Sequence, residues 1–332
     1  MQNIPDLYLT KEAVRLSSDR ELRRQRQRGA LVRLGAGVYV SAVDWRSLDA
    51  DEQFRTRIAA SSLRARVRPQ FSHDSAAAMW RLPSIGPWPR TVDQLIERAQ
   101  PTSTRVGVIR HARGRDRDPR EVDGVAVTSL ARTLVDISCT STFVRAVAMV
   151  DDGLRPTRPG DPRWGWVDSA TDQAQLLQLL ERLEPYAGSV RARRVLEFAS
   201  ALSGSPGESV ARVQFHALGL PSPELQVEFS DEHGLIGFAD FYWPDLDLIV
   251  EFDGKSKYGA ARRYQLGLTP QQLLQQEKAR EDRLRRVVTS FTRIDWAKTR
   301  DRRILAEHLR RYGLSPRSRA LSAETARHLG IV

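Results

Sequence analysis

The sequence predicts a mixed α/β (α+β) protein built from more than one domain. Segments with a helical apolar stripe, such as 48–68, alternate with short runs rich in β-branched and aromatic residues. The chain has 332 residues, of which 41% are hydrophobic, so it is long enough to form two or three packed domains.

Composition excludes several classes of protein. No stretch approaches the run of about 18 apolar residues that a membrane span needs. The first residues, MQNIPDLYLTKEAV, lack the basic start and apolar core of a signal peptide. The single Cys139 excludes an intramolecular disulfide and a multi-cysteine zinc site. We therefore expect a cytoplasmic protein without membrane contact.

Positive charge is concentrated at the two ends of the chain. The formal net charge is +11; residues 1–40 carry 8 basic and 4 acidic side chains, and residues 251–332 carry 19 and 9. Two basic regions around a mildly acidic middle favour a polyanion such as DNA as the partner. The alternative is a basic surface that only faces solvent.

The first 45 residues have the outline of a winged helix-turn-helix. A short helix is predicted after Thr10, and a second begins at Ser18 and stops at Gly29. The run LVRLGAGVYVSA then predicts a hairpin. The alternative is a small structural domain with a solvated basic helix. In the first interpretation the second helix enters a DNA groove and the hairpin contacts phosphate, which makes the expected DNA contacts Arg20, Arg23, Arg24, Arg26, Arg28 and Arg33.

Residues 46–153 predict a mixed α/β domain. Helices are expected over 48–68, over FSHDSAAAMWRLP up to Pro83, and from about Ser129 through Met149, with short strands between 91 and 130. His73 and Asp74 fall at a helix start, where Asp is commonly a cap rather than a catalytic residue. His111 has no paired ligand in the sequence around it.

Residues 154–204 predict a Pro-rich linker followed by two helices, and 313–332 a C-terminal tail.

The most informative part of the chain is a predicted hairpin with strands over 235–243 and 247–253. A turn centred between Asp245 and Leu246 places Asp240 opposite Glu251, and alternation puts Asp253 on the same face. Carboxylates this close repel one another, and a divalent cation relieves that cost. Hard oxygen ligands suit Mg²⁺ or Mn²⁺. We therefore predict Asp240, Glu251 and Asp253 as metal ligands.

Two alternatives remain for this hairpin. Pro244-Asp245 followed by Asp253-Gly254-Lys255 spells a PD…DxK pattern, but that register would centre the turn inside the apolar run LDLIVEF. We therefore favour the register that uses Asp240. In the second alternative, Asp240 and Glu251 form an exposed pair balanced by arginines, or belong to a site that no longer cuts.

Lysine is rare in this chain, which makes two lysines beside the carboxylates informative. Of the 52 basic residues only five are Lys, and Lys255 and Lys257 directly follow the last predicted strand of the hairpin. A Lys near a metal can exchange a proton with water, whereas Arg stays protonated. Lys255 or Lys257 is therefore the expected catalytic cation.

The segments GESVARVQFHALGL, ADFYWPDLDLIVEFDG and EKAREDRLRRVVTSFTRIDW resemble Vsr-like endonuclease domains of the PD-(D/E)XK superfamily. The resemblance covers about 205–300 and implies a nuclease fold over 205–312. It adds Glu208 to a catalytic set of Glu208, Asp240, Glu251 and Asp253, and matches the helix that carries Glu277, Arg280 and Asp282. One departure is that Asp253 stands where the family pattern has its Lys, so Lys255 or Lys257 would have to substitute.

The segments LTKEAVRL, RGALVRLGAGVYV, FSHDSAAAMWRLP and VDGVAVTSLARTLVDIS resemble the AbiEi family of type IV antitoxins. The resemblance covers roughly 5–150. It implies a winged helix, a second domain, repression of the protein's own operon, and a toxin encoded alongside as a possible partner. It implies DNA binding without implying chemistry.

The leading hypothesis from the sequence is a DNA-binding protein with a Mg²⁺- or Mn²⁺-dependent endonuclease domain. The first alternative is a non-catalytic AbiEi-type antitoxin and repressor with a degenerate nuclease fold. A third hypothesis is a protein-interaction module that neutralises a toxin.

Overall fold

The structure, a computed structural model, is a mixed α/β protein, as the sequence predicts. Its described residues form three β-sheets. The chain divides into two compact units. The first comprises Met1–Ser141 and Pro156–Phe198, and the second comprises Thr142–Arg155 and Ala199–Val332. The structure describes residues 5–9, 24–25, 27–105, 107–157, 161, 163, 171–254 and 269–317.

The predicted N-terminal hairpin is confirmed. Strands β2 (Leu31–Gly35) and β3 (Val38–Ser41) are antiparallel, and β1 (Tyr8–Leu9) pairs with the other edge of β3. Gly37, with φ +76°, supplies the left-handed residue that the tight connection requires. The helices predicted before the hairpin lie mostly outside the described residues. The one described turn, in which Arg28 N donates to Arg24 O, ends at Gly29 as expected.

A six-stranded sheet forms the centre of the first unit, with strand order β6-β7-β5-β4-β9-β8. Helices of this unit contact it or one another, and the long predicted helix over 48–68 is confirmed as a capped helix that begins at Ala50. The strands are β4 (Gln70–Phe71), β5 (Val92–Ile96), β6 (Ser103–Arg105), β7 (Val108–Ala112), β8 (Arg120–Val122) and β9 (Val125–Val127). The helices before β9 are α1 (Ala42–Ser47), α2 (Ala50–Arg64) and α3 (His73–Met79).

The single helix predicted from Ser129 through Met149 is wrong. Two helices occupy this stretch, α4 (Leu130–Thr140) and α5 (Phe143–Leu154). Ser141 and Thr142 have extended backbones, which interrupt the helix although the apolar pattern continues across them. The break has a structural consequence, because α4 belongs to the first unit and α5 to the second. The two helices predicted within 154–204 are confirmed as α6 (Gln173–Leu183) and α7 (Ser189–Phe198).

The second unit contains a helix, three strands, a helix and a fourth strand in chain order. The sheet order is β10-β11-β12-β13; the first two pairings are antiparallel and the last is parallel. The elements are α8 (Pro206–Ala217), β10 (Glu224–Asp231), β11 (Gly234–Trp243), β12 (Leu248–Asp253), α9 (Pro270–Val287), β13 (Ser290–Asp295), α10 (Trp296–Arg300) and α11 (Arg302–Arg310).

Two apolar clusters cover the two faces of this sheet. Leu248 and Val250 pack with Phe215 of α8 and Leu305 of α11. Ile249 lies between Leu248 and Val250 in the strand, points to the opposite face, and packs with a second cluster that includes Leu284 of α9. This explains the continuous apolar run LIV in β12, since a strand buried on both faces has no polar alternation.

Within the described residues, every helix is too short or too polar to traverse a lipid bilayer.

Candidate active site

The start of α8 fixes the position of Glu208. The Ser205 side chain accepts a hydrogen bond from Glu208 N at 3.3 Å, and Pro206 occupies the first turn, as the sequence predicts. The Glu208 carboxylate turns back to accept a hydrogen bond from Gly204 N at 2.7 Å. Glu208 is 7% exposed. The local cap therefore holds a nearly buried carboxylate at the N-terminus of the helix.

The β11–β12 hairpin adopts the predicted register. Phe241 pairs with Val250 and Trp243 with Leu248, and this pairing continued by one residue sets Asp240 opposite Glu251. The competing PD…DxK register is wrong, because Pro244–Leu246 form the turn. Asp245 lies in that turn with an exposed side chain that pairs with Arg317.

Asp240 is held by two hydrogen bonds. Phe252 N donates to its Oδ2 at 2.8 Å, and Gln226 Nε2 donates to its Oδ1 at 3.3 Å. The same Gln226 nitrogen lies 3.2 Å from Glu208 Oε2, so one amide group bridges the two carboxylates. Gln226 has a φ of +51°, an uncommon conformation for a residue other than glycine. Sequence reasoning missed Gln226. The signal that could have found it is its position in β10, because its two neighbours in the strand pair with the two neighbours of Asp240 in β11.

Two arginines hold Glu251. Arg280 Nη2 donates to its Oε1 at 2.7 Å, and Arg293 Nη2 lies 3.2 Å from its Oε2. Arg280 also donates to the backbone oxygen of Phe238 at 2.7 Å. This contact passes close to Gly237, where a Cβ would lie 3.1 Å from Arg280 Nε. The alternative prediction of an exposed carboxylate pair is wrong for Glu251, which is only 6% exposed. Its other part, that arginines balance the carboxylate, is confirmed for Glu251.

Burial shifts the titration of all three carboxylates. Burial, reinforced by the nearby charge of Asp240, raises the pKa of Glu208 to about 7. Burial also raises the pKa of Asp240, although the Phe252 N–H moderates the shift. The pKa of Glu251 is raised by burial, while the hydrogen bond from Arg280 acts in the opposite direction. Perturbed carboxylates of this kind cluster at functional sites more often than elsewhere.

The other predicted ligands divide into two groups. Asp253 ends β12 with an exposed side chain, beyond the buried part of the strand. Lys255 and Lys257 lie outside the described residues. Among the described residues, no group of three or more His, Cys, Asp or Glu side chains is arranged to hold a metal ion. The donors at Asp240 and Glu251 are carboxylate oxygens and fit Mg²⁺ or Mn²⁺ chemically. Each Glu251 oxygen already accepts from one arginine, so a cation would have to share these oxygens with Arg280 and Arg293.

Of the predicted DNA-contacting arginines, three are described. Arg24, Arg28 and Arg33 are all exposed in the first unit, and Arg33 Nε donates to Gly35 O within the hairpin at 3.2 Å. An exposed position is what a phosphate contact needs. Arg20, Arg23 and Arg26 lie outside the described residues.

The histidines of the first unit form a buried cluster that the sequence did not reveal. The His73 and His111 rings stack with centroids 3.9 Å apart, and His111 Nε2 lies 2.8 Å from Asp93 Oδ1. Ser72, and not Asp74, is the N-cap residue of α3. His73 is 4% exposed, and burial followed by the charge of His111 lowers its pKa well below the usual value. The His73 side chain is therefore shielded from any substrate in solution, which argues against a catalytic role.

Sequence comparison finds relatives whose names carry no activity. The uncharacterized proteins MT2308 and Rv2248, from two strains of Mycobacterium tuberculosis, are each 31% identical to the chain over 156 residues. The match covers 47% of this chain, and the chain spans about half the length of these curated relatives (52%). No family model matches the chain.

Proposed function

We propose that the second unit is a Mg²⁺- or Mn²⁺-dependent endonuclease that hydrolyses DNA phosphodiester bonds. The observation that carries the proposal is the meeting of Glu208, Asp240 and Glu251, which come from α8, β11 and β12 and share a buried patch with raised pKa values. Ionisation of neighbouring buried carboxylates is unfavourable, because burial and mutual repulsion both oppose the negative charge. A bound divalent cation is the simplest group that would offset this cost.

The order of elements supports the same proposal. The resemblance to Vsr-like domains implies a helix with a Glu, a strand with an Asp, a strand with Glu-x-Asp-Gly, then a basic helix and a last strand. The chain has these parts as α8, β11, β12, α9 and β13. The parallel pairing of β13 with β12 places Arg293 beside Glu251.

In this proposal each residue of the site has a distinct task. Asp240 and Glu251 would hold the cation, which would supply Lewis-acid polarisation of the scissile phosphate and a lower pKa for the attacking water. Gln226 orients Asp240 through its Oδ1, while the Phe252 N–H fixes the other oxygen. Glu208 holds or releases a proton near neutral pH. Lys255 or Lys257 stabilises the developing negative charge.

Cleavage of supercoiled plasmid by the full chain tests this function. We expect nicking with Mg²⁺ or Mn²⁺ and none with EDTA. Asp240→Asn and Glu251→Gln should each abolish it, because each removes a ligand charge with little change of shape. Asp245→Asn is the matched control, because Asp245 is an exposed residue of the same hairpin and belongs to the rejected register. Equal loss in Asp245→Asn, or no cleavage with either ion on supercoiled, linear or branched DNA, would contradict the assignment.

One observation favours a second function, that of a non-catalytic AbiEi-type antitoxin and repressor with a degenerate nuclease fold. Arg280 and Arg293 neutralise both oxygens of Glu251, as expected for an inherited scaffold in which the arginines replace the cation. In this alternative the protein binds its own operator and a toxin encoded alongside, without cutting DNA. Operator binding together with rescue of growth from the co-expressed toxin, unchanged in Asp240→Asn, would support it. For either function we propose a cytoplasmic location, where the DNA lies.

A further inference from the structure

The first unit contains a large cavity that neither proposed function uses. Its volume is about 980 Å³. Its wall comes from the segments after β5 and after β7, the first turn of α4 and the last turns of α6. Two of its twelve lining residues are acids and six are arginines. The arginines are Arg98, Arg113, Arg115, Arg117, Arg132 and Arg182.

The two acids leave most of this positive charge uncompensated. Asp116 directs Oδ2 at Ser129, accepting from its N at 2.7 Å and its Oγ at 2.8 Å. Glu97 pairs with Arg115 at 3.5 Å, and both side chains are exposed. Asp136, which is outside the cavity lining, pairs with Arg132, so three positive charges remain in excess around a concave space. Arginines that outnumber the nearby acids repel one another, so this arrangement indicates an anionic ligand.

Arg132 is the fixed member of this set. Its Nε donates to Asp136 Oδ1 at 2.9 Å, and Tyr186 OH donates to the same oxygen at 2.5 Å. Its Nη2 lies 3.5 Å from the Arg113 backbone oxygen. Arg132 is 3% exposed, and its guanidinium carbon also lies 5.7 Å from the centre of the Tyr186 ring. A guanidinium held this firmly recognises phosphate with little loss of side-chain entropy.

We propose that this cavity binds the phosphate chain of a nucleotide. The arginines supply forked donors for phosphate oxygens, and Arg132 anchors them from the rear wall. Leu179, Leu183 and Ala99 also line the cavity and supply apolar contacts for a base or sugar. Cavities of small-molecule sites are about 300–1,000 Å³, and this volume is within that range.

A free nucleotide fits the geometry better than the backbone of duplex DNA. Duplex DNA presents its phosphates along an extended convex surface, which basic grooves or helices follow. Here the arginines surround a concave space and come from four separate segments of the chain. The site is thus distinct from the predicted DNA contacts near the N-terminus, and from the carboxylates of the second unit.

Calorimetric titration of the full chain in EDTA tests the proposal, with ATP, inorganic triphosphate and adenosine as probes. We expect ATP and triphosphate to bind and adenosine not to bind. The Arg117→Ala/Arg182→Ala double variant should weaken ATP binding about tenfold or more, because two charge-assisted contacts are lost. Both side chains are exposed, so the fold tolerates their truncation. The matched control is Arg66→Ala/Arg105→Ala, which removes two exposed arginines of the same unit outside the cavity.

Three outcomes would overturn the proposal. ATP and triphosphate fail to bind; or they bind equally well to the Arg117→Ala/Arg182→Ala variant; or a 20-base-pair duplex is the only ligand that this variant loses. In the last case the arginines contact nucleic acid rather than a free nucleotide. A parallel cleavage assay on the same variants separates this site from the proposed nuclease, whose activity neither pair of substitutions should change.

Discussion

Glu208 shows how position alone alters the chemistry of a side chain. Its carboxylate lies beside Asp240 and away from water, and its pKa is raised to about 7 from an ordinary 4.5. A raised carboxyl pKa stabilises the folded state fully below pH 4.5, and that stabilisation is lost as the pH rises through 7.

The first prediction follows from this direction. Glu208→Gln should unfold at higher denaturant concentration than the wild type at pH 8, because it removes a buried charge, and the gain should shrink towards pH 5. The rise of the Glu208 pKa from 4.5 to about 7 sets an upper bound of about 3 kcal/mol on this gain in the free energy of unfolding. Urea unfolding in EDTA at the two pH values measures it. Glu228→Gln, at an exposed position of β10, is the control and should show no such difference. A Glu208→Gln variant whose advantage does not change with pH would show that Glu208 keeps its ordinary titration.

The second prediction concerns the two lysines. Lys255→Arg should lose most metal-dependent cleavage while DNA binding survives, and Lys257→Arg should be milder. The reason is that guanidinium cannot release a proton at working pH, and an ammonium is a more compact charge beside a metal-bound phosphate. Initial cleavage rates and gel-shift affinities measured on both variants check it. Normal cleavage rates in both variants would show that the lysines contribute only positive charge, which arginine supplies equally well.

Individual residues were predictable from the sequence where strand parity or a cap decides their place. Asp240 and Glu251 meet for this reason, whereas Glu208 was assigned to the site only through the resemblance to Vsr-like domains. Gln226, Arg280 and Arg293 were not assigned to the site, because their contacts depend on how β10, α9 and β13 pack against the hairpin. A side chain that crosses between elements has no signature in local sequence.

At the scale of elements, α8 packs closely against β12 beside the site. A Cβ added at Gly207 would overlap the Phe252 ring, far inside normal contact distance. The same Phe252 supplies the N–H that holds Asp240. Helix packing and carboxylate orientation therefore depend on one glycine.

The third prediction is that Gly207→Ala destabilises the protein by about 1–3 kcal/mol, the usual cost of overpacking. Helix propensity alone would predict a gain of up to about 1 kcal/mol, so the sign of the change decides between the two effects. Denaturant unfolding measures it. Combining Gly207→Ala with Phe252→Leu should recover part of the loss, because the overlap is with the ring. Strict additivity of the two changes would mean that the ring is not the obstacle.

Most elements could be predicted from periodicity and caps, whereas their interruptions could not. The strands of the β11–β12 hairpin begin and end within one residue of their expected limits. The break between α4 and α5 was missed, since the apolar pattern continues through Ser141 and Thr142 while the chain passes from one unit to the other. Tertiary packing determines such a break, and a local window does not detect it.

At the scale of the whole molecule, the proposals assign separate tasks to separate parts of the chain. The N-terminal arginines would bind DNA, the cavity of the first unit would bind a nucleotide, and the carboxylates of the second unit would hold a cation. The basic ends of the chain favour a polyanion, but charge alone does not distinguish among these tasks. They are distinguished by which activity the protein loses when each set of residues is substituted.

The fourth prediction tests that separation. The triple variant Arg23→Ala/Arg24→Ala/Arg26→Ala should bind duplex DNA more weakly, and its affinity should depend less on salt. Each lost phosphate contact lowers the slope of log affinity against log salt by about 0.9, so three contacts lower it by up to about 2.7. Fluorescence anisotropy in EDTA, between 50 and 200 mM salt, measures both quantities without cleavage. The control variant Arg66→Ala/Arg105→Ala/Arg110→Ala removes the same charge from exposed positions of the same unit. Because net charge falls equally in both, a difference between them isolates position from charge. Equal slopes in the two variants would show that DNA responds only to the overall basicity of the chain, and the N-terminal helix would lose its assigned role.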